Sequence, residues 1–489
     1  MALPDLIEIV QLDKPVRAEI TVPGSKSITN RALILAALAD GEVTIEGALW
    51  SEATQIMVEC LQELGFMVNV APDPNEICNR TITVYGQGGK VPGGGTAENP
   101  LELFVGNAGT AARVLTAFVC LGKGVYRLHG VSRMHERPQA ALFKALRELG
   151  YRVDSPNDKL PATIYGRDAF HSVPDSKKEN GDAVERVPTE RCVVSIEESS
   201  QFASALLLCA KHGGWKVEIV GENAEESPYV AMTSKMIETF PHHGGKFQIE
   251  PDASSGSYFG AAEYFVQNPE YPEHSEKFGV LVQTKLLNPV KVACWPRSGW
   301  QIDERFPGVL LQASSLHLGL ELEREQKRFD EVQLKGFREA CTKNSISRKN
   351  DLGDSIMTAV VLAPFSINAV QFTDLGRLRV QECERVVALR TELTKCGAKV
   401  AEEGDTLTVY PSKLHGAEIE TYNDHRMAMC FAILGLKVPG IKIKNPACVK
   451  KTFPNFFQKL AAPLPKGLGA TILDAKTGRK LKEEELFVD

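Results

Sequence analysis

The chain has 489 residues, 43% of them hydrophobic and 24% charged, and 62 acidic against 56 basic side chains give it a formal net charge of −6. This length predicts roughly two to four domains, and the ordinary fractions of hydrophobic and charged residues argue against global disorder. The acidic balance argues against a general nucleic-acid binder, which needs a basic surplus to neutralise phosphates. The odd number of cysteines, 11, argues against a complete disulfide framework. Reduced thiols, and therefore a cytoplasmic location, are the better expectation.

We expect no targeting signal in the N-terminal stretch. The N-terminal stretch lacks a basic region followed by an apolar one, so we predict neither a secretory leader nor a transit peptide. No window of about 18 residues is apolar and free of charge, so we predict no membrane span. Two polar segments, 168–191 and 267–277, are expected to be surface insertions. For the charged C-terminal segment 464–489 the sequence leaves two alternatives open, a packed segment or a mobile tail.

One kind of segment recurs along the chain: small polar residues open it and a long apolar run follows. Its six copies are GSKSITNRALILAALA from Gly24, GNAGTAARVLTAFVCL from Gly106, SSQFASALLLCA from Ser199, DASSGSYFGAAEYFV from Asp252, DLGDSIMTAVVLA from Asp351 and NDHRMAMCFAIL from Asn423. Such runs predict helices that are buried on all sides. Their openings leave free N–H groups at a helix start, and these attract anions.

An amphipathic segment with helical spacing follows each of these runs. These second segments begin at Ser51, Arg137, Ser227, Gln301, Arg379 and Thr452. The glycines at 65, 150 and 397 are predicted to end three of them with a left-handed residue. Short alternating runs rich in Val, Ile and Thr, such as VTIEGAL, TITVYG and IKIKNP, predict strands between the helices. The chain is therefore predicted to be an α/β protein of six β/α units.

Cations lie within or beside these openings, where they suit phosphates and carboxylates. Asp354, Glu382 and His425 lie among them and are candidate general acids and bases, because cations and carboxylates that share a site shift one another's pKa values. His242 and His243 have no further ligand at metal-binding spacing, so we predict no metal site. We find no P-loop, Rossmann fingerprint or nucleophile elbow either.

Six long motifs carry a family resemblance. PGSKSITNRALILAALADG (23–41), LFVGNAGTAAR (103–113), RMHERP (133–138), SSQF (199–202), DASSGSYF (252–259) and TYNDHRMAMCFAI (421–433) resemble the 5-enolpyruvylshikimate-3-phosphate (EPSP) synthases, in that family's order. The resemblance implies a two-domain enolpyruvyl transferase fold, with three β/α units in each domain and buried helices surrounded by sheets. We expect one domain from residues 1–24 and 252–489 and the other from 25–251, with an active site in the cleft between them that closes on binding.

The same resemblance implies the reaction: transfer of enolpyruvyl from phosphoenolpyruvate to the 5-hydroxyl of shikimate 3-phosphate, with release of phosphate and without metal or organic cofactor. Partners are therefore small anions, with neither nucleic acid nor membrane, and we expect a monomer that glyphosate inhibits. The expected phosphoenolpyruvate ligands are Lys26, Asn107, Gly109, Arg133, Gln201, Arg385, Arg426 and Lys451. The expected shikimate 3-phosphate ligands are Ser27, Arg31, Ser199, Ser200, Gln201, Tyr229, Asp354, Arg377 and Gln381.

The resemblance also implies proton-transfer roles. Asp354 resembles the base near the acceptor hydroxyl. Glu382, assisted by Lys26 or His425, resembles the proton donor, and the sequence does not divide these roles further.

The chain departs from the family pattern at the acceptor positions. The family segment N-x-R-x-K-E-[ST]-D-R reads RLRVQECER from Arg377 to Arg385, so Gln381 stands for a Lys and Arg377 for an Asn. A glutamine offers hydrogen bonds but no charge. Gly353 also replaces the usual Pro before Asp354. Two alternatives therefore stay open: a related transferase with another acceptor, or a catalytically weak paralogue with a binding or regulatory role.

Overall fold

The computed structural model describes residues 3–14, 16–167, 190–221, 227–267, 290–309, 345–366 and 368–488. The chain divides into two compact units. The terminal unit consists of Met1–Val22 and Pro251–Asp489, and the central unit consists of Pro23–Glu250. Most of the two predicted insertions, positions 168–189 and 268–277, lies outside the described residues. Among the helices that are described, none has both the length and the apolar character needed to cross a membrane.

The helices and strands follow the predicted alternation. The helices are α1 (Lys26–Leu38), α2 (Glu52–Glu63), α3 (Gly109–Phe118), α4 (Ser132–Glu136), α5 (Ala140–Glu148), α6 (Gln201–Gly213), α7 (Pro228–Thr239), α8 (Ala253–Gln267), α9 (Ile356–Leu362), α10 (Arg385–Lys395), α11 (His425–Gly435) and α12 (Phe456–Ala461). The strands are β1 (Leu6–Ile9), β2 (Ala18–Ile20), β3 (Asp40–Leu49), β4 (Val68–Pro72), β5 (Asn79–Gln87), β6 (Leu101–Phe104), β7 (Val125–His129), β8 (Val153–Asp154), β9 (Ala162–Tyr165), β10 (Arg191–Ser195), β11 (Lys216–Val220), β12 (Gly245–Gln248), β13 (Val290–Val292), β14 (Ser345–Ser347), β15 (Val370–Thr373), β16 (Val400–Glu403), β17 (Thr406–Val409), β18 (Glu418–Ile419), β19 (Ile441–Lys444) and β20 (Ile472–Asp474).

The described strands form the same set of sheets in both units. The central unit has sheets in the order β12-β3-β5-β4 and β6-β7-β9-β8 and a pair β10-β11. The terminal unit has sheets in the order β18-β19-β1-β20 and β14-β15-β17-β16 and a pair β13-β2. Each of the six contains one parallel pair of strands, while the remaining pairs in the larger sheets are antiparallel. This recurrence matches the six β/α units expected from the sequence.

The six apolar segments form helices, as predicted, and three of them pack together in each unit. In the central unit α1, α3 and α6 contact one another, and in the terminal unit α8, α9 and α11 do so. Every residue of α3, α9 and α11 is buried. Helices without a polar face are stable only when neighbours surround them, so these triplets form the cores around which the sheets lie.

The amphipathic segments also form helices, with two boundaries that differ from the prediction. The segment from Gln301 is a 3-10 helix over Ile302–Arg305, followed by a helical turn at 306–309 that contains the poor helix formers Pro307 and Gly308. The segment from Arg379 becomes α-helical only at Arg385, because the preceding residues form a 3-10 helix over Gly376–Val380. The predicted left-handed glycines are confirmed, with φ of 87° at Gly65 and 91° at both Gly150 and Gly397.

The C-terminal segment, for which the sequence leaves both packing and a mobile tail open, packs within the terminal unit. Strand β20 pairs with β1, and Leu481 and Leu486 are buried in the core of the terminal unit. The charges that suggested a solvated tail are paired instead: Arg479 donates two hydrogen bonds of 2.9 Å to the carboxylate of Glu485. A strand pairing and this bidentate ion pair together order a segment whose composition alone indicates mobility.

Candidate active site

Helix starts bring most of the predicted terminal-unit residues into one cluster. Asp354 precedes α9, Glu382 and Arg385 lie at the start of α10, and Arg426 is in the first turn of α11. Lys451 ends the 3-10 helix Pro446–Lys451. We call the group of Arg348, Asp354, Glu382, Arg385, Asp424, Arg426 and Lys451 the Asp354 cluster.

Three guanidinium groups surround the carboxylate of Asp354. Arg348 Nη2 lies 3.0 Å from Oδ1, and Arg426 Nη2 lies 3.2 Å from Oδ2. Arg385 Nη1 is more distant, at 3.9 Å from Oδ2. Burial alone would raise the pKa of Asp354, but the three cations, led by Arg426, outweigh it and hold that pKa well below its usual range. Asp354 is therefore ionised at neutral pH.

Arg385 links the carboxylates of the cluster. Its Nε lies 2.7 Å from Asp424 Oδ2, and its Nη2 lies 2.8 Å from Glu382 Oε2. Burial would lower the pKa of Arg385, but these carboxylates, led by Asp424, raise it above its ordinary value. The second oxygen of Glu382 lies 3.1 Å from Lys451 Nζ. Both carboxylates expected to take part in proton transfer thus share a set of fixed cations.

Asp424 has two functions that the sequence did not assign to it. Its Oδ1 accepts a hydrogen bond of 2.9 Å from the backbone N–H of Arg426, which caps α11. The same side chain is fully buried against Arg385, so it fixes both arginines. His425 is also fully buried, with Nδ1 3.7 Å from Asp424 Oδ1. Its part in proton transfer stays a prediction.

The turn that carries Asp354 is held by a second buried carboxylate, Asp303. Its Oδ1 accepts hydrogen bonds from the backbone N–H groups of Gly353 (2.7 Å) and Ser355 (3.2 Å), the residues on either side of Asp354. The departure at position 353 takes part in this contact, because a proline there would lack the N–H. A Cβ at Gly353 would also lie 3.1 Å from both oxygens of Asp303.

One of the two departures at the acceptor positions, Gln381, contacts this cluster. The amide oxygen of Gln381 accepts a hydrogen bond from Nη1 of Arg385. Gln381 therefore helps to orient an arginine of the cluster, a contact that a lysine could not make because it has no acceptor. Arg377 lies on the preceding 3-10 helix Gly376–Val380.

In the central unit, Lys26 and Ser27 begin α1. The chain reaches this helix through Gly24, where a Cβ would lie 2.0 Å from the carbonyl oxygen of Gly47. Only glycine allows that approach. The backbone N–H of Gly24 donates to Asn79 Oδ1 at 2.9 Å, and that of Ser25 donates to Glu250 O, also at 2.9 Å. The start of α1 is thereby fixed on both sides.

Arg31, one turn further, is almost fully buried and is bound by uncharged groups. Its Nε donates to Thr233 Oγ1 at 2.8 Å and its Nη2 donates to Ser204 Oγ at 2.9 Å. Its Nη1 donates to the carbonyl oxygen of Ser27 at 2.9 Å, and the ring of Tyr229 lies 6.0 Å away. Burial lowers the pKa of Arg31 to about 10. The arginine therefore stays charged at neutral pH and joins α1, α6 and α7.

The starts of α3 and α6 meet in the same unit. Gln201 Nε2 donates to Thr110 Oγ1 at 3.2 Å. Arg137 Nη1 lies 3.3 Å from the carbonyl oxygen of Asn107. A Cβ at Gly109 would lie within 2.5–2.7 Å of guanidinium nitrogens of Arg113 and Arg137, so these cations take up the space that the glycine leaves.

The remaining central-unit residues are less enclosed. Arg133 lies in the short helix α4 and pairs with Glu136 at 2.5 Å. Ser199 is half-buried, with Oγ accepting from the backbone N–H of Gln201 at 3.2 Å, while Ser200 is buried and directly precedes α6.

Arg348, like Asp424, is a residue of the Asp354 cluster that the sequence did not identify as a candidate. It belongs to none of the six motifs, and it lies six residues before Asp354 on the turn after β14. Asp303 likewise has no role that the sequence motifs assign to it. Within the described ranges, no group of three or more His, Cys, Asp or Glu side chains is placed to hold a metal ion.

Comparison with known proteins gives the class and then the family. Solved structures with a similar fold include an enolpyruvyl transferase, NikO from Streptomyces tendae, with a TM-score of 0.60 and 14% identity, covering 98% of this chain and 99% of that one. Another is the EPSP synthase from Acinetobacter baumannii, with a TM-score of 0.59 and 18% identity, covering 96% and 99% of the two chains. The fold is thus that of the enolpyruvyl transferases.

Sequence comparison is more specific. Residues 10–267 and 318–460 match the family described as EPSP synthase (3-phosphoshikimate 1-carboxyvinyltransferase). Relatives named 3-phosphoshikimate 1-carboxyvinyltransferase include one from Trichormus variabilis, 34% identical over 93% of this chain and 98% of that one. A relative of the same name from Opitutus terrae is 35% identical over 96% and 100% of the two chains. The chain belongs to the EPSP synthase family.

Proposed function

We propose that the Asp354 cluster performs the proton transfers of the family's reaction, and that the helix starts of the central unit bind the same substrates. In this reaction the chain transfers the enolpyruvyl group of phosphoenolpyruvate to the 5-hydroxyl of shikimate 3-phosphate and releases phosphate. The observation that carries the proposal is the carboxylate of Asp354 among Arg348, Arg385 and Arg426. Both substrates are anions, so their binding side by side requires fixed cations.

The chemistry has two stages with opposite proton movements. In the addition, the acceptor oxygen forms a bond to C2 of phosphoenolpyruvate, the hydroxyl proton leaves to a base, and a proton is delivered to the methylene carbon. In the elimination, that carbon loses a proton and the C–O bond to phosphate breaks. We assign Asp354 as the base that accepts the proton of the acceptor hydroxyl. We assign Glu382, assisted by Lys26 or His425, as the donor of the proton that reaches the methylene carbon.

Substrate binding makes Asp354 a better base. With Arg426, Arg348 and Arg385 as its partners, Asp354 has a pKa well below its usual range, which makes it a weak proton acceptor. Arg385 and Arg426 are also proposed phosphoenolpyruvate ligands, together with Lys451. When the substrate anion shares their N–H groups, their hold on Asp354 weakens and its pKa rises. A base whose pKa moves toward the working pH is the more effective one.

The central unit supplies the other ligands. Lys26, Asn107, Gly109 and Arg133 complete the phosphoenolpyruvate set, and Ser27, Ser199, Ser200, Gln201 and Tyr229 bind shikimate 3-phosphate. Arg31 is buried beneath Ser27, so we assign it the support of that residue and of the local positive field. The acceptor set extends to Asp354, Arg377 and Gln381 of the terminal unit.

The test is turnover of an Asp354→Asn variant, measured as phosphate released from phosphoenolpyruvate and shikimate 3-phosphate. Loss of a general base lowers kcat by roughly 10² to 10⁴-fold. Asp405→Asn is the matched control, because Asp405 is exposed and pairs with Arg379 at 3.1 Å instead of with the cluster. Wild-type turnover by Asp354→Asn would refute the assignment.

We also propose that the chain acts as a monomer in the cytoplasm. The ten described cysteines are all free thiols, which suits a reducing compartment. Light scattering coupled to size-exclusion chromatography tests the first statement: a mass of twice the chain's 53.5 kDa would contradict it.

A further inference from the structure

Arg348 differs from the other two arginines around Asp354 in what else it binds. Arg385 also holds Asp424 and Glu382, and Arg426 Nη1 lies 3.3 Å from the hydroxyl of Tyr258. For Arg348, the side-chain partner found in the described part of the chain is Asp354. Its Nε is buried and makes no hydrogen bond within those residues. The guanidinium of Arg348 is thus directed at a single carboxylate oxygen.

The backbone around Arg348 is fixed independently of that contact. Its N–H donates to Thr373 O at 3.1 Å, at the end of β15. Ser347 Oγ accepts from the backbone N–H groups of Lys349 (3.2 Å) and Asn350 (3.0 Å), which closes the turn. The side chain of Arg348 is only 9% exposed. Because backbone and side chain are both held, the arginine fixes Asp354 with little loss of freedom on substrate binding.

The two oxygens of Asp354 are therefore divided between partners of different kinds. Oδ1 faces Arg348 at 3.0 Å, while Oδ2 faces Arg426 at 3.2 Å and Arg385 at 3.9 Å. When a substrate anion binds Arg426 and Arg385, Oδ2 loses both partners, while Oδ1 keeps its contact with Arg348. Arg348 is then the group that keeps the carboxylate in place while the free oxygen accepts a proton.

We propose that Arg348 is a positioning residue of the transfer reaction, which orients Asp354 through Oδ1 so that Oδ2 meets the acceptor hydroxyl. This inference rests on the proposed role of Asp354 as the base. It assigns no substrate contact to Arg348, so its removal is expected to change the rate of the chemical step and to leave substrate binding almost unchanged.

The experiment compares Arg348→Met and Arg348→Lys with the wild type in steady-state turnover and in calorimetric binding of shikimate 3-phosphate. Misplacement of a reacting group by about 1 Å lowers the rate by roughly a hundredfold, so Arg348→Met should lose about that factor in kcat. In Arg348→Met, both KM values and the Kd of shikimate 3-phosphate should stay within about threefold of the wild type. The reason is that the substitution removes no contact between the protein and the bound substrates. Arg348→Lys restores a charge near Oδ1 and should recover at least about a tenth of the wild-type kcat.

Arg390→Met is the matched control, because Arg390 is 43% exposed and its Nη1 lies 3.2 Å from Glu402. Its kcat should equal that of the wild type. The proposal is overturned if Arg348→Met retains wild-type kcat, if it raises the acceptor KM tenfold at unchanged kcat, or if Arg348→Lys is no better than Arg348→Met. Should Arg348→Met fail to fold, Arg348→Gln takes its place in the same comparison.

Asp354→Asn separates this inference from the proposed function. If that variant turns over at the wild-type rate, the proposed base is wrong. If it is inactive while Arg348→Met is fully active, only the role of Arg348 is wrong.

Discussion

The two units hold buried arginines in opposite ways. In the terminal unit, Arg385 is 1% exposed and binds the carboxylates of Asp424 and Glu382. In the central unit, Arg31 is equally buried, but its partners are the hydroxyls of Ser204 and Thr233 and a backbone carbonyl. The difference appears in the pKa of each arginine, which carboxylates raise for Arg385 and burial lowers for Arg31.

Under the binding roles proposed above, substrate anions would encounter two kinds of cation. In the terminal unit they compete with protein carboxylates, so binding redistributes partners among groups already in place. In the central unit the hydrogen-bond partners of Arg31 are two hydroxyls and a carbonyl oxygen, so its positive charge contributes to the electrostatic field at the start of α1. The first arrangement suits groups that must change their protonation during the reaction, and the second suits groups that only attract.

The largest expected effect is on the stability of Arg385→Met. The substitution leaves Asp424, which is fully buried, without its arginine. Breaking a buried ion pair by removing one partner costs about 3–5 kcal/mol, whereas an exposed pair is worth about 0–1 kcal/mol. The free energy of unfolding in urea should therefore fall by the larger amount for Arg385→Met and by the smaller for Arg127→Met, because Arg127 pairs with Glu102 and both side chains are exposed. Equal losses in the two variants would contradict the contrast between buried and exposed pairs.

Arg31→Met should destabilise the chain less. The substitution removes a cation but leaves no carboxylate unpaired, and Thr233 Oγ1 still lies 2.9 Å from Ser204 Oγ. We expect the free energy of unfolding to stay within about 2 kcal/mol of the wild type, since neutral hydrogen bonds contribute about 1 kcal/mol each. The KM for shikimate 3-phosphate should rise. A loss as large as that of Arg385→Met would show that the two burial environments are energetically alike.

Much of this arrangement follows from the sequence because it depends on local patterns. Apolar runs with small polar openings give buried helices with accessible N-termini, and residues at those openings, such as Asp354 and Arg426, are identified by the pattern itself. The partners within the Asp354 cluster cannot be derived in this way. Arg348 reaches Asp354 through a turn whose direction depends on hydrogen bonds of Ser347 and Thr373.

The C-terminal segment is a second case in which the local sequence does not predict the contacts that form. Its composition suggests a solvated tail, but β20 is ordered by pairing with β1, which is distant in sequence. Long-range pairing leaves no periodic signal in the segment itself.

The smallest expected effect is a pH dependence of stability caused by Asp354. Because its pKa in the folded chain is lower than in the unfolded chain, where the usual value is about 3.9, the unfolded chain takes up a proton first as the pH falls. The stability that Asp354 contributes is therefore fully present above about pH 5. Below about pH 4 it decreases progressively, by no more than about 1.4 kcal/mol per pH unit, because a single proton is involved. Urea unfolding of the wild type and Asp354→Asn between pH 7 and pH 3 measures the difference directly. The difference in the free energy of unfolding between the wild type and Asp354→Asn should be constant at the higher pH values and should become smaller at the lowest. If this difference in the free energy of unfolding increased on acidification, burial would affect the pKa of Asp354 more strongly than the three arginines do.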